Sequence, residues 1–225
     1  MVQVTADSSK VADKPDSFFE NFSVVCATEC PLKELLRINQ ICRDKNIKFL
    51  CGDVFGMDKV IYKPIDRIPT GEPIAKVPKQ EAMKVTKKHS ATFVSLQDAL
   101  DVDWTKKSNA KRLDKMDPSY FLMRVLLNFR TKHGRNPSPK KRAEDSAELL
   151  KLRDEVLDQF EVPKDKVPDD MFSNVYAEVS PVCAIVGGVM AQEIIKTVSQ
   201  REAPHNNMFF FNPVEQIGLV DCIGN

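Results

Sequence analysis

The chain has 225 residues, 42% of them hydrophobic, and a formal net charge of +1. That length supports one sizeable core, or one core with a small insertion, and the near-neutral charge gives no reason to expect broad capture of nucleic acid or membrane. The longest apolar run, residues 182–191, is far short of the roughly 20 residues that span a bilayer, and MVQVTADSSK at the amino terminus shows no signal-peptide pattern.

Residues 1–62 read as alternating strand and helix. MVQVT alternates and is expected as a strand. SVVCAT, residues 23–28, is a β-branched run of the kind found in buried parallel strands. Pro31 then opens an amphipathic helix, PLKELLRINQICRDKN, with Leu35, Ile38 and Cys42 on one stripe. IKFLCGDVFG returns as a strand ending at Gly52 and Gly56. Strand, helix and strand within about 30 residues form a βαβ unit, which predicts a parallel sheet with helical cover.

The composition shifts at Lys63. KPIDRIPTGEPIAKVPKQEAMKVTKKHS is rich in proline and lysine and has no sustained period, so it reads as a linker or exposed excursion. ATFVSLQDALDVDW predicts a strand and a short helical turn. DPSYFLMRVLLNFRTKHG predicts a long helix, with Asp117 as N-cap, Pro118 at the first position and Gly134 at the far end. Tyr120, Phe121, Leu122, Val125, Leu126 and Phe129 give it a wide apolar face. A second helix covers RAEDSAELLKLRDEVLDQF, with Leu149, Leu152, Val156, Leu157 and Phe160 inward, and a third, shorter one residues 169–178. The chain thus divides into residues 1–62 and 180–225, two parts of one α/β domain, and residues 63–179, a linker and inserted helical half-domain.

SPVCAIVGGVMAQEIIKTVSQ, residues 180–200, has helical rhythm but holds Gly187 and Gly188, each costing about 1 kcal/mol relative to alanine. It is apolar nearly all round and is therefore expected to be buried on most faces. Ala184, Gly187, Gly188 and Ala191, spaced three and four apart, leave one face nearly bare. Such a face admits another backbone closely, either from the chain's own sheet or from a second subunit. Two strands follow, residues 208–211 and 217–222, at hairpin separation.

Candidate chemistry is sparse. No Gly-x-Gly occurs, so neither a dinucleotide fingerprint nor a phosphate loop can be written, which disfavours an independent nucleotide-dependent oxidoreductase. Cys26, Cys30, Cys42 and Cys51 admit a zinc reading, but their spacing fits no familiar finger, and buried reduced thiols are the alternative. Cys183 lies in an apolar helix, a poor setting for a nucleophile. Of the scattered His89, His133 and His205, the last, in APHNN, reads as a general base or a turn residue. Asp53 after a strand end either faces a ligand at the carboxyl edge of the sheet or caps a turn. Lys140, Lys141 and Arg142, in PSPKKRAED, read as a nuclear-import signal or a solvated helix start. No catalytic, cofactor-binding or metal-ligating residue is assigned.

KPDSFFENFSVVCAT, NIKFLCGDVFG, PSYFLMRVLLNFRTKHGRNPS and above all PVCAIVGGVMAQEIIKTVSQREAPHNNMFFFN resemble the smaller subunit of the heterodimeric SUMO-activating enzyme. The resemblance runs the length of the chain and is weakest over residues 63–90, where the family carries a variable loop. It implies an incomplete Rossmann-like sheet domain of the ubiquitin-activating (ThiF) type with an inserted, mainly helical lobe. It also implies a heterodimer with a large catalytic subunit, which binds ATP and Mg2+, adenylates SUMO and holds it as a thioester. The smaller subunit is then non-catalytic, binds no cofactor itself, meets SUMO only indirectly and resides in the nucleus, with the cytoplasm as a second location. Where catalytic relatives hold the nucleotide with an aspartate and a basic residue, this chain has Glu29, Cys30 and Pro31, so no ATP contact is assigned. Family members carry a further segment ahead of MVQVT, so the chain is expected to be a fragment lacking the amino-terminal portion, weakly stable alone and rescued by its partner. The alternative function is a truncated binding module or decoy that occupies the large subunit without supporting activation.

Overall fold

The computed structural model describes residues 3–55, 58–62, 68–71, 88–213 and 215–224. A short helix, α1 (Asp16–Phe19), leads into β1 (Val24–Thr28), α2 (Leu32–Asp44) and β2 (Lys48–Phe55). β1 and β2 pair in parallel with Ala27 opposite Cys51, so the predicted βαβ unit is present. Pro31, whose ring fixes φ at −58°, stands just before α2, and the helix buries Leu35, Ile38 and Cys42. The expected leading strand is absent from its described residues. Residues 3–5 carry no regular structure and Val4 is exposed, because alternation without a partner edge and a face to bury does not hold a strand. Residues 1–2 lie outside the described residues.

The parallel sheet expected from the βαβ unit is corrected at β3 (Asp58–Tyr62), which pairs antiparallel with β2. The link between them is too short for a crossover and permits only a hairpin. β4 (Ile68–Gly71) and β5 (Lys88–Ala91) form a separate antiparallel ribbon. The rest of the expected linker, residues 63–67 and 72–87, lies outside the described residues.

The helices that follow are set by their caps. α3 (Leu96–Leu100) begins with a capping box of Ser95 and Asp98, and α4 (Lys107–Lys115) follows it. α5 (Pro118–His133) starts where the Asp117 carboxylate accepts the Ser119 N–H at 2.9 Å, and stops at Gly134, whose φ of 65° is left-handed. α6 (Arg142–Gln159) buries Leu149, Leu152, Val156 and Leu157. The third helix expected over residues 169–178 is only a 3-10 turn, Asp169–Asn174, burying the single side chain Phe172. Val175 and Tyr176 beyond the turn are buried as well, so packing is not what is missing; the expected span is shorter than the roughly 12–15 residues that carry a helix on their own propensity.

α7 (Ser180–Ser199) then leads to β6 (Met208–Asn212) and β7 (Ile217–Asp221), a hairpin with Phe210 opposite Leu219. The sheet order is β1-β2-β3-β6-β7, parallel only at β1–β2. Strand alternation in β6 sends Met208 and Phe210 to one face and Phe209 and Phe211 to the other. On the first face Met208 and Phe210 join Phe49 and the α5 and α6 side chains Tyr120, Phe121, Phe129, Leu149 and Leu157 in one continuous core. The helices of residues 96–160 therefore share the core of the sheet. On the second face Phe209 and Phe211 pack against Val182 and Val186 of α7.

Candidate functional site

β1 ends at Thr28, opposite Gly52 of β2, and β2 runs on to Phe55, so Asp53 stands within the strand rather than after its end. In an open α/β sheet, the carboxyl end of parallel strands is where a ligand is met. Here the Glu29 N–H donates to Asp53 Oδ1 at 2.7 Å, across a turn in which Glu29 has a φ of 54°. Arg130 reaches in from α5, its Nη1 lying 2.9 Å from Asp53 Oδ2 and 3.0 Å from the Cys30 carbonyl, which accepts from it. Its Nε donates to Asn136 Oδ1 at 2.8 Å, and the guanidinium lies over the Phe55 ring, 4.8 Å from the centroid. Arg130 is only 4% exposed. Burial pushes the Asp53 carboxyl above its ordinary range, and the Arg130 charge and hydrogen bonds pull it the other way.

Asp53 therefore caps the β1–α2 turn and neutralises a buried arginine. A nucleotide does not fit these residues. The turn presents Glu29, Cys30 and Pro31 in place of a glycine-rich row of N–H groups, and the carboxylate is held by Arg130. A cleft of about 160 Å³ lies between these strand ends and α7, lined among others by Glu29, Asp53, Glu178, Cys183 and Gly187. With Asp53 paired to Arg130, Glu29 and Glu178 are the cleft carboxylates that oppose phosphate binding by like charge.

The small-residue face of α7 is exposed. Ala184, Gly187, Gly188 and Ala191 all face solvent, and a Cβ built at either glycine meets nothing within 4 Å. The helix packs on the sheet through a different stripe, Val182, Val186, Glu193 and Thr197. Among the described residues nothing packs on the glycines, and the expectation that α7 is buried on most faces is corrected: Ile185, Ile195 and Val198 are 43%, 56% and 61% exposed. By length and composition α7 is also apolar enough to cross a membrane. Its buried stripe, however, includes Glu193, which accepts the His205 N–H at 2.8 Å and pairs with Lys196 at 2.9 Å. An ion-paired carboxylate facing the chain's own sheet is the pattern of a helix seated on a protein core.

His205 lies in the α7–β6 connection, where its backbone N–H donates to Glu193 Oε2 at 2.8 Å and its Nδ1 stands 3.3 Å from Glu193 Oε1. His133 lies against the Phe129 ring, and the side chain of His89 is outside the described residues. All six cysteines are thiols. Cys30, Cys42 and Cys51 are buried, with burial pushing Cys42 up to about 12, whereas Cys26 is exposed and its Sγ lies 3.5 Å from Met190 Sδ. Among the described residues no group of three His, Cys, Asp or Glu side chains converges as a metal site. Lys140 and Lys141 are exposed. Arg142 begins α6 and is tied down, donating to the Ser173 carbonyl at 3.1 Å and lying over the Tyr176 ring.

Arg130 and Glu193 escaped the sequence reading, although a signal existed. Arg130 follows Leu126 by four residues and Glu193 follows Val186 by seven, so each charge sits on an apolar stripe. Their partners come from distant segments, which periodicity does not reveal.

Comparison with known proteins places the chain. The ThiF family matches residues 1–221. SUMO-activating enzyme subunit 1 of Xenopus laevis is 42% identical over 241 residues, covering 100% of this chain and 70% of that protein. The same-named protein of Danio rerio is 41% identical over 238 residues, covering 98% and 68% respectively. That of Homo sapiens is 38% identical over 240 residues, covering 100% and 69%.

Proposed function

The chain belongs to the ThiF family, within the SUMO-activating enzyme subunit 1 proteins, and on that premise we propose that it is the non-catalytic subunit of a SUMO-activating enzyme. It supports adenylation and thioester activation of SUMO by a larger partner subunit, which supplies the ATP and Mg2+ site. This chain meets SUMO indirectly and holds no nucleotide. The observation that carries the division of labour is Arg130, which occupies the carboxyl edge of β1 and β2 and commits Asp53.

The partner docks on the outward face of α7. Support comes from the apolar exposure of Ile185, Ile195 and Val198 beside the bare face of Ala184, Gly187, Gly188 and Ala191. A solvent-facing glycine pair costs helix stability and meets no side chain among the described residues; a second backbone at close approach supplies dispersion contacts that offset the cost. The nucleus is the proposed location, resting on Lys140 and Lys141; for Arg142 to join them as an extended signal, the first turn of α6 must open.

Size-exclusion chromatography of the chain mixed with the large subunit, together with ATP titration of each protein alone, tests this reading. Co-elution of the two, with ATP bound only by the large subunit, is expected. ATP binding by this chain alone, or failure to co-elute, contradicts it.

A further inference from the structure

Ser138 is followed by Pro139, Lys140 and Lys141. Its backbone is extended, with φ −120° and ψ 134°, it is partly exposed, and Pro139, Lys140, Lys141 and Arg142 after it are exposed. We propose that Ser138 is the phosphoryl acceptor for a proline-directed protein kinase. Such an enzyme must close over the residue after the acceptor, and proline there has no N–H to strand without a partner. Lys141, three residues beyond the acceptor, supplies the cation that an acidic rim on the kinase recognises. The Ser138 N–H donates to Asp145 Oδ2 at 2.9 Å and its carbonyl accepts the Lys141 N–H at 3.0 Å. This closes a 3-10 turn over Pro139–Lys141, which opens when a kinase takes the segment extended.

In the transfer, Ser138 Oγ attacks the γ-phosphorus of ATP, forming the new O–P bond as the bond to the ADP oxygen breaks. The hydroxyl proton passes to the kinase's catalytic carboxylate. The resulting phosphate adds close to two negative charges beside Asp145, which is held by the Arg135 fork at 2.7 and 2.8 Å. Arg135 is then contested between two anions, and Lys140 and Lys141 lie within one turn to meet the new one.

The folded chain is incubated with a cyclin-dependent-type kinase and Mg·ATP, and incorporation is followed by intact mass and fragment mapping. One phosphoryl group on Ser138 is expected, with loss of incorporation in Ser138→Ala and in Pro139→Ala. Ser138→Thr keeps an acceptor hydroxyl and should be modified, which separates a missing acceptor from a misfolded chain. Absence of phosphate on Ser138 of the folded chain overturns the proposal, whether or not a free peptide of residues 134–146 is modified. Incorporation that persists unchanged in Ser138→Ala does so as well.

Discussion

Arg130 of α5 and Asp53 of β2 form a buried ion pair, Nη1 to Oδ2 at 2.9 Å and Nη2 to Oδ1 at 3.4 Å. It joins the helical segment to the carboxyl edge of the sheet, and the Glu29 N–H and Cys30 carbonyl complete the hydrogen bonding around it. A buried pair contributes modest net stability, but removing one member strands the other charge. Arg130→Ala should therefore cost about 3–5 kcal/mol in equilibrium urea unfolding. A loss below about 1 kcal/mol would show that Asp53 is solvated or satisfied otherwise.

The same variant has a pH signature. Burial already raises the Asp53 carboxyl, and removing Arg130 removes the charge that opposes that rise. A carboxyl raised in the folded state contributes stability that is present below its unfolded value of about 3.9 and is lost as pH rises through the folded value. The deficit of Arg130→Ala relative to the parent should thus shrink as pH falls from about 7 toward about 4. A deficit that is constant across this range argues against a stranded carboxylate.

Asp145 behaves in the opposite sense. The Arg135 fork and the Ser138 N–H hold its carboxyl below the usual range. Its contribution is present above the unfolded value of about 3.9 and disappears as pH falls through the lower folded value. Asp145→Asn should lose less stability than the parent when pH is dropped below about 4, as read from denaturant midpoints. Equal acid losses in both proteins count against this assignment.

Glu193 anchors the connection between α7 and β6. Truncation by Glu193→Ala leaves the His205 N–H without its 2.8 Å acceptor and Lys196 without its ion pair, at a cost of about 1–3 kcal/mol. Hydrogen exchange at the His205 amide reports it directly, with faster exchange expected in the variant. Unchanged protection would mean that the amide is held by something other than Glu193.

The glycine pair separates stability from association. Among the described residues nothing lies within 4 Å of a Cβ at Gly188, so Gly188→Ala should raise the chain's own stability by about 0.5–1 kcal/mol. Gly188→Leu should fold equally well yet fail to co-elute with the large subunit. Unfolding of the leucine variant, or undiminished association, removes the proposed interface.

Several elements could be read from local chemistry because that chemistry is local. Asp117, Pro118 and Gly134 bracket α5 through caps and a left-handed stop that need no tertiary partner. The β6–β7 hairpin and the first βαβ unit follow from apolar runs at fixed separations. β3 does not stand out in the sequence because its antiparallel pairing with β2 follows from how few residues separate the two strands rather than from composition. The Arg130–Asp53 pair spans 77 positions in sequence, beyond the reach of any periodicity. In α7 the pattern correctly showed a helix apolar on most faces. It could not tell which of those faces this chain covers, and the one it leaves open carries the proposed function.

The proposed role of this chain is to support chemistry performed by its partner. Its most direct test is SUMO-adenylate formation by the large subunit, measured by ATP–pyrophosphate exchange with and without this chain. Exchange that requires the chain is the expected result. Full exchange by the large subunit alone, or a stable complex in which exchange is absent, would contradict it.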